Sequence, residues 1–208
     1  MQQSRHAVEL GWRRDDPTLG IRKLKEKSGG FTTWEEEHIE QFLAHHKPGT
    51  RAHRALMLLL WRGQRRGDVV HLGRQHIRDG VLTVVQRKTA QAVDVPIFPD
   101  LKSVWDALPK DNLTFLVSDT GGPLTPESFT NWFRDMVKEA KLPDGLSPHG
   151  LRKSACGRLA ETGCTPHQIM AISGHQTLSE ATRYTVAASR KDWTKQAMAS
   201  PGGKKTGT

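Results

Sequence analysis

Between Ser147 and Tyr184 the chain carries His149, Arg152, His175 and Tyr184, and Tyr184 is the only tyrosine in 208 residues. These side-chain types suit phosphate chemistry. A guanidinium grips an anion with paired donors, imidazoles move protons, and a phenol oxygen can act as a nucleophile. His149 and Arg152 are three apart behind Ser147-Pro148, a cap followed by a proline whose missing N–H costs nothing at a helix start. That spacing puts both on one helix face, near an N-terminus whose positive potential favours an anion.

Leu151, Ala155, Cys156 and Leu159 take the core-facing side, and the helix is predicted to end at Gly163. Thr165-Pro166 with Gln168 starts a short second helix that stops before Gly174-His175. Thr177 with Glu180 opens a third, which carries Tyr184. Helix, turn, helix, turn, helix can fold back so that the four groups meet at one phosphate. Singly, each also has a plain structural reading: His175 as a helix C-cap, Tyr184 as a half-buried core residue.

The upstream chain must supply the frame. Residues 1–30 read as polar linker with a short helix near His6–Trp12. Thr33 with Glu36 predicts a capped helix bearing Ile39, Phe42 and Leu43. Pro48-Gly49 breaks it, and Thr50 caps a central helix with Ala55, Leu56, Leu59 and Leu60, stopped by Gly63. Arg65 and Arg66 follow. Arginine is seldom set near a core without an anionic partner, although pairing with Asp68 or covering the helix end would also explain them. Val81–Val85 and Val93–Ile97 predict a β-hairpin with Arg87 and Lys88 near its tip, where a lysine is commonly a solvated edge residue. Pro99 starts a helix through Leu108, and Phe115–Val117 suggests a short strand. Thr125-Pro126 opens a helix whose face of Phe129, Trp132, Phe133, Met136, Val137 and Ala140 is core. The segment after Tyr184 reads as a further helix with Trp193 and Met198 on one side. The fold class is mainly α with a small antiparallel β-sheet (α+β).

Lys plus Arg outnumber Asp plus Glu by 31 to 22, a net charge of +9, which favours a polyanion such as nucleic acid or an acidic membrane face, although a soluble surface that merely happens to be basic would also explain it. The longest apolar run, Ala55–Trp61, is too short to span a bilayer, and no membrane partner is expected. MQQSRHAVEL has no apolar signal core, and Cys156 and Cys164 read as reduced thiols, which fits the cytoplasm.

In combination these segments resemble the tyrosine recombinases, the phage-integrase family of site-specific DNA recombinases. H-x-L-R stands as His149-Gly150-Leu151-Arg152, and Gly174-His175 precedes Tyr184 by nine residues. The family's first arginine motif, G-x-R-x-[GS]-[ED], matches Gly63 to Asp68 and selects Arg65 over Arg66. The hairpin lysine in a K-T-G context is Lys88-Thr89-Ala90. Three departures occur: Ala90 for the turn glycine, Trp61-Arg62 for a common Tyr-Thr, and Gly150 for a frequent Asp.

The resemblance implies a catalytic set of Arg65, Lys88, His149, Arg152, His175 and Tyr184. Tyr184 is the nucleophile that forms a 3′-phosphotyrosyl link, and the two arginines hold the nonbridging oxygens. His149 accepts the tyrosine proton, Lys88 protonates the departing 5′ oxygen, and His175 hydrogen-bonds the phosphate. Asp68 orients its neighbours. No metal or other cofactor is expected. The partner is double-stranded DNA, with self-association on DNA through the segment after Tyr184. The expected organisation is a remnant of a core-binding domain and linker over 1–30, a catalytic domain over 31–198, and a flexible tail over 199–208. Two alternatives share much of this pattern: a truncated, non-catalytic DNA-binding integrase, and a type IB topoisomerase-like relaxing enzyme.

Overall fold

A computed structural model describes residues 2–21, 30–97, 102 and 112–199. The chain divides into two units, Met1–Gly30 and Phe31–Thr208. In the first, helix α1 (Gln2–Glu9) lies earlier than predicted, because Gly11 takes a left-handed conformation (φ 71°) and closes it. Asp16 then organises a turn by accepting from Thr18 N (2.9 Å) and Thr18 Oγ1 (2.6 Å).

The second unit begins with extended chain. Thr32 bridges Leu146 in parallel, and the buried indole of Trp34 donates to Ser147 O (3.0 Å). This keeps Thr33 out of the helix, so α2 (Glu36–His45) is capped by Glu35 instead, whose N–H donates to His38 Nδ1 (3.1 Å). Helix α3 (Arg51–Arg62) starts as predicted, with Thr50 Oγ1 accepting from His53 N (3.2 Å). Its Ala55, Leu56 and Leu59 have no exposed surface, and each leucine contributes roughly 2 kcal/mol by burial. Gly63, left-handed at φ 53°, ends α3 and turns the chain into the short α4 (Arg66–Val69).

Strands β1 (Ile77–Arg78), β2 (Val81–Val85) and β3 (Ala92–Pro96) form an antiparallel sheet in that order. The register sets Leu82 opposite Val95 and Val84 opposite Val93, and all four are buried on one face. Two-residue β1 was not predicted; it is too short to leave an alternating pattern. The predicted strand at Phe115–Val117 is an isolated bridge, Val117 to Pro123. Phe115 instead donates its N–H to Leu72 O (2.7 Å). The helix predicted from Pro99 to Leu108 lies outside the described residues, apart from Lys102.

Helix α5 (Pro126–Glu139) is capped by Thr125, which accepts from Ser128 N (3.0 Å). It sends Phe129, Phe133 and Val137 into the core, where Phe133 stacks on Phe42 at 5.5 Å between centroids. Helices α6 (Pro148–Glu161), α7 (Pro166–Ser173) and α8 (Leu178–Ala199) follow. The segment after Tyr184 is not a separate helix: α8 runs 22 residues without a glycine or proline to break it. Between these three helices lies a small core of Cys156, Ala160, Ile169, Ala181 and Ala188, with Tyr184 packed against it. Both cysteines are free, and Cys164 lies past the end of α6.

Candidate active site

Arg65 is the N-cap residue of α4, placed by the turn at Gly63. It is half-buried and donates through Nη1 to Gln86 Oε1 (2.5 Å). Arg66 faces elsewhere, donating to Thr130 Oγ1 and to Pro126 O (3.2 Å) on α5. Neither arginine pairs with Asp68, which is buried and accepts from Arg87 N (3.0 Å) in the β2–β3 turn. Lys88 is exposed in that turn. The turn closes through Ala90 N donating to Gln86 O (2.7 Å), with Ala90 itself left-handed at φ 53°.

His149 and Arg152 occupy the first turns of α6, capped by Ser147 Oγ, which accepts from Gly150 N (3.3 Å). Between them Gly150 is obligatory, since a Cβ there would sit 2.0 Å from Thr32 O. That close approach accounts for a glycine where the family often has aspartate. Arg152 is buried and donates through Nη1 to the carbonyls of Gly63 and Ser173, the latter at 2.8 Å. Burial lowers its pKa from the usual guanidinium value. His149 is exposed as a residue, yet Phe31 covers one ring face at 4.4 Å between centroids. Desolvation and then Arg152 lower its pKa from the ordinary imidazole value.

Gly174, left-handed at φ 70°, ends α7 and delivers His175, whose Nδ1 lies 2.6 Å from Ser173 Oγ. Burial first, then Arg152, push the His175 pKa down to about 4, so its ring is neutral near pH 7. Its centroid is 5.8 Å from that of Tyr184. Burial against the small core, then Cys156, push the Tyr184 pKa up to about 12.

Arg65, Lys88, His149, Arg152, His175 and Tyr184 all line one cleft of about 630 Å³. Four separate parts of the chain therefore converge: the α3–α4 junction, the hairpin turn, the start of α6, and the α7–α8 segment. Outside the cleft, His45, His46 and Glu139 are a group among the described residues able to hold a metal ion, although His46 Nε2 is already bonded to Met136 O (2.9 Å). Among the described residues no helix is long and apolar enough to cross a membrane.

Residues 32–191 match the family model described as the phage integrase family. The chain belongs to the phage integrase family. It is similar to the shufflon-specific DNA recombinase of Escherichia coli, with 29% identity over 184 residues, covering 86% of this chain and 46% of that protein. The chain spans less than half the length of the curated relatives it matches. Among solved structures it shares its fold with a lambda integrase dimer bound to a COC′ core site (TM-score 0.72, 20% identity, 87% of this chain and 68% of that one). It likewise shares the fold of the Tn1549 transposon integrase in complex with transposon right end DNA (TM-score 0.71, 18% identity, 93% and 75%). The mainly helical architecture with its small antiparallel sheet is thus the integrase fold.

Motif reading did not single out Phe31, Gln64, Gln86 or Ser173. For Gln86 a signal existed: it continues the buried parity of Leu82 and Val84 along β2, where a polar residue needs partners. Phe31 and Ser173 carried none, since their contacts depend on the tertiary fold.

Proposed function

We propose that this chain is the catalytic domain of a tyrosine site-specific DNA recombinase, serving integration or excision of a mobile element in the cytoplasm. What carries the reading is the convergence of the six groups on one cleft. Tyr184 Oη attacks the phosphorus of a DNA phosphodiester, a P–O bond to tyrosine forms, and the bond to the 5′ oxygen breaks. Arg65 and Arg152 hold the nonbridging oxygens, where negative charge grows, with donors already oriented by Gln86, Gly63 and Ser173. Lys88 gives its proton to the departing 5′ oxygen. The 3′-phosphotyrosyl link keeps the bond energy, and attack by another strand's 5′ hydroxyl reverses the step.

With its pKa raised, Tyr184 cannot ionise alone near pH 7, so a base is needed. His149, held neutral, is one acceptor. The hydrogen bonding favours a second. Ser173 Oγ donates to Ile169 O (2.6 Å), so it accepts from His175 Nδ1–H, and the neutral ring then turns a lone pair outward at Nε2. To donate to phosphate His175 must first gain a proton, and Tyr184 is the adjacent source.

The basic surface binds the duplex backbone. Residues 1–30 are the end of a core-binding domain and its linker, residues 31–198 the catalytic domain, and residues 199–208 a tail. Residues of α8 beyond Tyr184, with Trp193 exposed, join copies on DNA. The test is to incubate the chain with nicked suicide duplexes of randomised central sequence and sequence those captured covalently. Capture of a defined set, lost in Tyr184→Phe, is expected. DNA binding with no capture by the wild-type chain would favour a non-catalytic binding module.

A further inference from the structure

Gln86 has no exposed surface, and the mechanism above gives it no step. All four hydrogen-bonding positions of its amide are filled. Oε1 accepts from Arg65 Nη1 (2.5 Å) and Thr89 Oγ1 (3.1 Å). Nε2 donates to Gln64 Oε1 (2.8 Å) and to Ser173 O (2.8 Å). These partners fix the amide orientation, because a guanidinium can only donate and a carbonyl can only accept. The main chain is committed too: Gln86 N donates to Gln91 O (2.9 Å), and Gln86 O accepts from Ala90 N, across the turn that carries Lys88.

The four side-chain partners come from three places, Gln64 and Arg65 being neighbours in the α3–α4 junction. Arg65 caps α4. Gln64 follows α3 and donates in turn to Ile172 O (2.8 Å). Thr89 neighbours Lys88, and Ser173 ends α7. The Ser173 carbonyl is shared with Arg152 Nη1, and its hydroxyl meets His175 Nδ1. One amide is therefore bonded to Arg65, to the turn of Lys88, and to the residue that holds both Arg152 and His175. Gly174 supports the same point. A Cβ at that position would lie 2.0 Å from Gln86 Nε2, so the glycine before His175 gives the amide its room.

Resting on the recombinase reading, we infer that Gln86 is the positioning residue that sets Arg65, Lys88, Arg152 and His175 in register around the phosphate. It touches no substrate itself. Gln64 and Ser173 are buried, Arg65 and Thr89 are half-buried, and the Gln86 amide carries no charge, so its loss changes their alignment while leaving the DNA-facing charge in place. Misalignment of reacting groups by about 1 Å costs on the order of 100-fold in rate.

Two variants test this on a duplex captured by the wild-type chain from the randomised nicked pool. Gln86→Met fills the same space without polar atoms. It is expected to bind the duplex as tightly as wild type but to form the adduct on the order of 100-fold more slowly. Gln86→Glu sets a carboxylate against Gln64 Oε1 and Ser173 O, so its rate relative to wild type is expected to rise as pH falls and the carboxyl gains a proton. Adduct formation by Gln86→Met at the wild-type rate, or slowed only in step with weaker DNA binding, overturns the role and leaves the recombinase reading standing. Should the wild-type chain capture no duplex, that reading fails, and ¹⁵N spectra of the arginine side chains decide on Gln86. Protection of the Arg65 and Arg152 Nη–H groups, lost in Gln86→Met while circular dichroism shows the fold kept, supports the role; unchanged protection overturns it. Where Gln86→Met does not fold, Gln86→Glu carries both measurements.

Discussion

The imidazole of His149 lies against the phenyl ring of Phe31, with centroids 4.4 Å apart and planes inclined by 43°. The main chain of Phe31 is held in place as well, its carbonyl accepting from Lys153 Nζ at 2.6 Å. A ring laid over one imidazole face removes water from the charged form, and desolvation heads the causes that lower the His149 pKa. Phe31→Ala is therefore expected to raise that pKa toward the ordinary 6.5, read by NMR titration of the ring protons. A titration point unmoved or lower would assign the shift to Arg152 and the other neighbouring cations.

Arg152 is 3% exposed, and no carboxylate pairs with it among the described residues. A buried cation bonded only to carbonyls is a cost to folding that a bound phosphate offsets. Arg152→Met is expected to hold or raise stability, by up to about 2 kcal/mol, as apolar replacements of buried charge often do. Adduct formation is expected to fall by a factor of about 10² to 10³, the usual loss when a charge-stabilising donor is removed. Denaturant melts check the first part and single-turnover cleavage the second. A variant that melts early and cleaves normally would make Arg152 a structural residue.

The pH dependence of stability follows from the histidines. His175 binds its proton only near pH 4 when folded, against 6.5 when unfolded. Between those values the unfolded chain holds more protons, so stability present above pH 6.5 is lost as pH falls toward 4. His149 and His53 are shifted in the same direction and add to the slope. His175→Gln is expected to flatten part of it, seen as a smaller drop in melting temperature between about pH 7 and pH 5. An undiminished drop would mean that His175 titrates normally in the folded chain.

Ala90 adopts φ 53° at the position where the family usually has glycine. A left-handed backbone costs an L-residue about 1 kcal/mol or more, part of which glycine gives back through its freedom in the unfolded chain. Ala90→Gly is expected to raise stability by up to about 1 kcal/mol in denaturant unfolding, with the Lys88 turn unchanged. A destabilised variant would show that the methyl group packs in a way that repays its strain.

What could be read in the sequence divides along physical lines. Thr50, Thr125, Ser147 and Thr165 cap helices where their spacing predicts, because a cap is a local hydrogen bond within three residues. Thr33 misled, because Thr32 and Trp34 are tied to Leu146 and Ser147, more than a hundred positions away. The candidate site residues were nameable because the motifs that carry the family resemblance stand in order along the chain, whereas singly each side chain has a plain structural reading. Which of them touch, and through what, was not. Gln86, Ser173 and Gly174 meet only after β2 and α7 have packed, and a glutamine announces nothing by type alone.

A bond between Tyr184 Oη and DNA phosphorus can be detected directly. The covalent complex trapped on a captured nicked duplex is digested with nuclease and protease, and the modified peptide is sequenced by mass spectrometry. The expected result is a nucleotide carried through its 3′ phosphate on the peptide containing Tyr184, with a free 5′ hydroxyl on the released strand and no adduct from Tyr184→Phe. A nucleotide on any other residue, or an adduct that persists in Tyr184→Phe, would contradict the account.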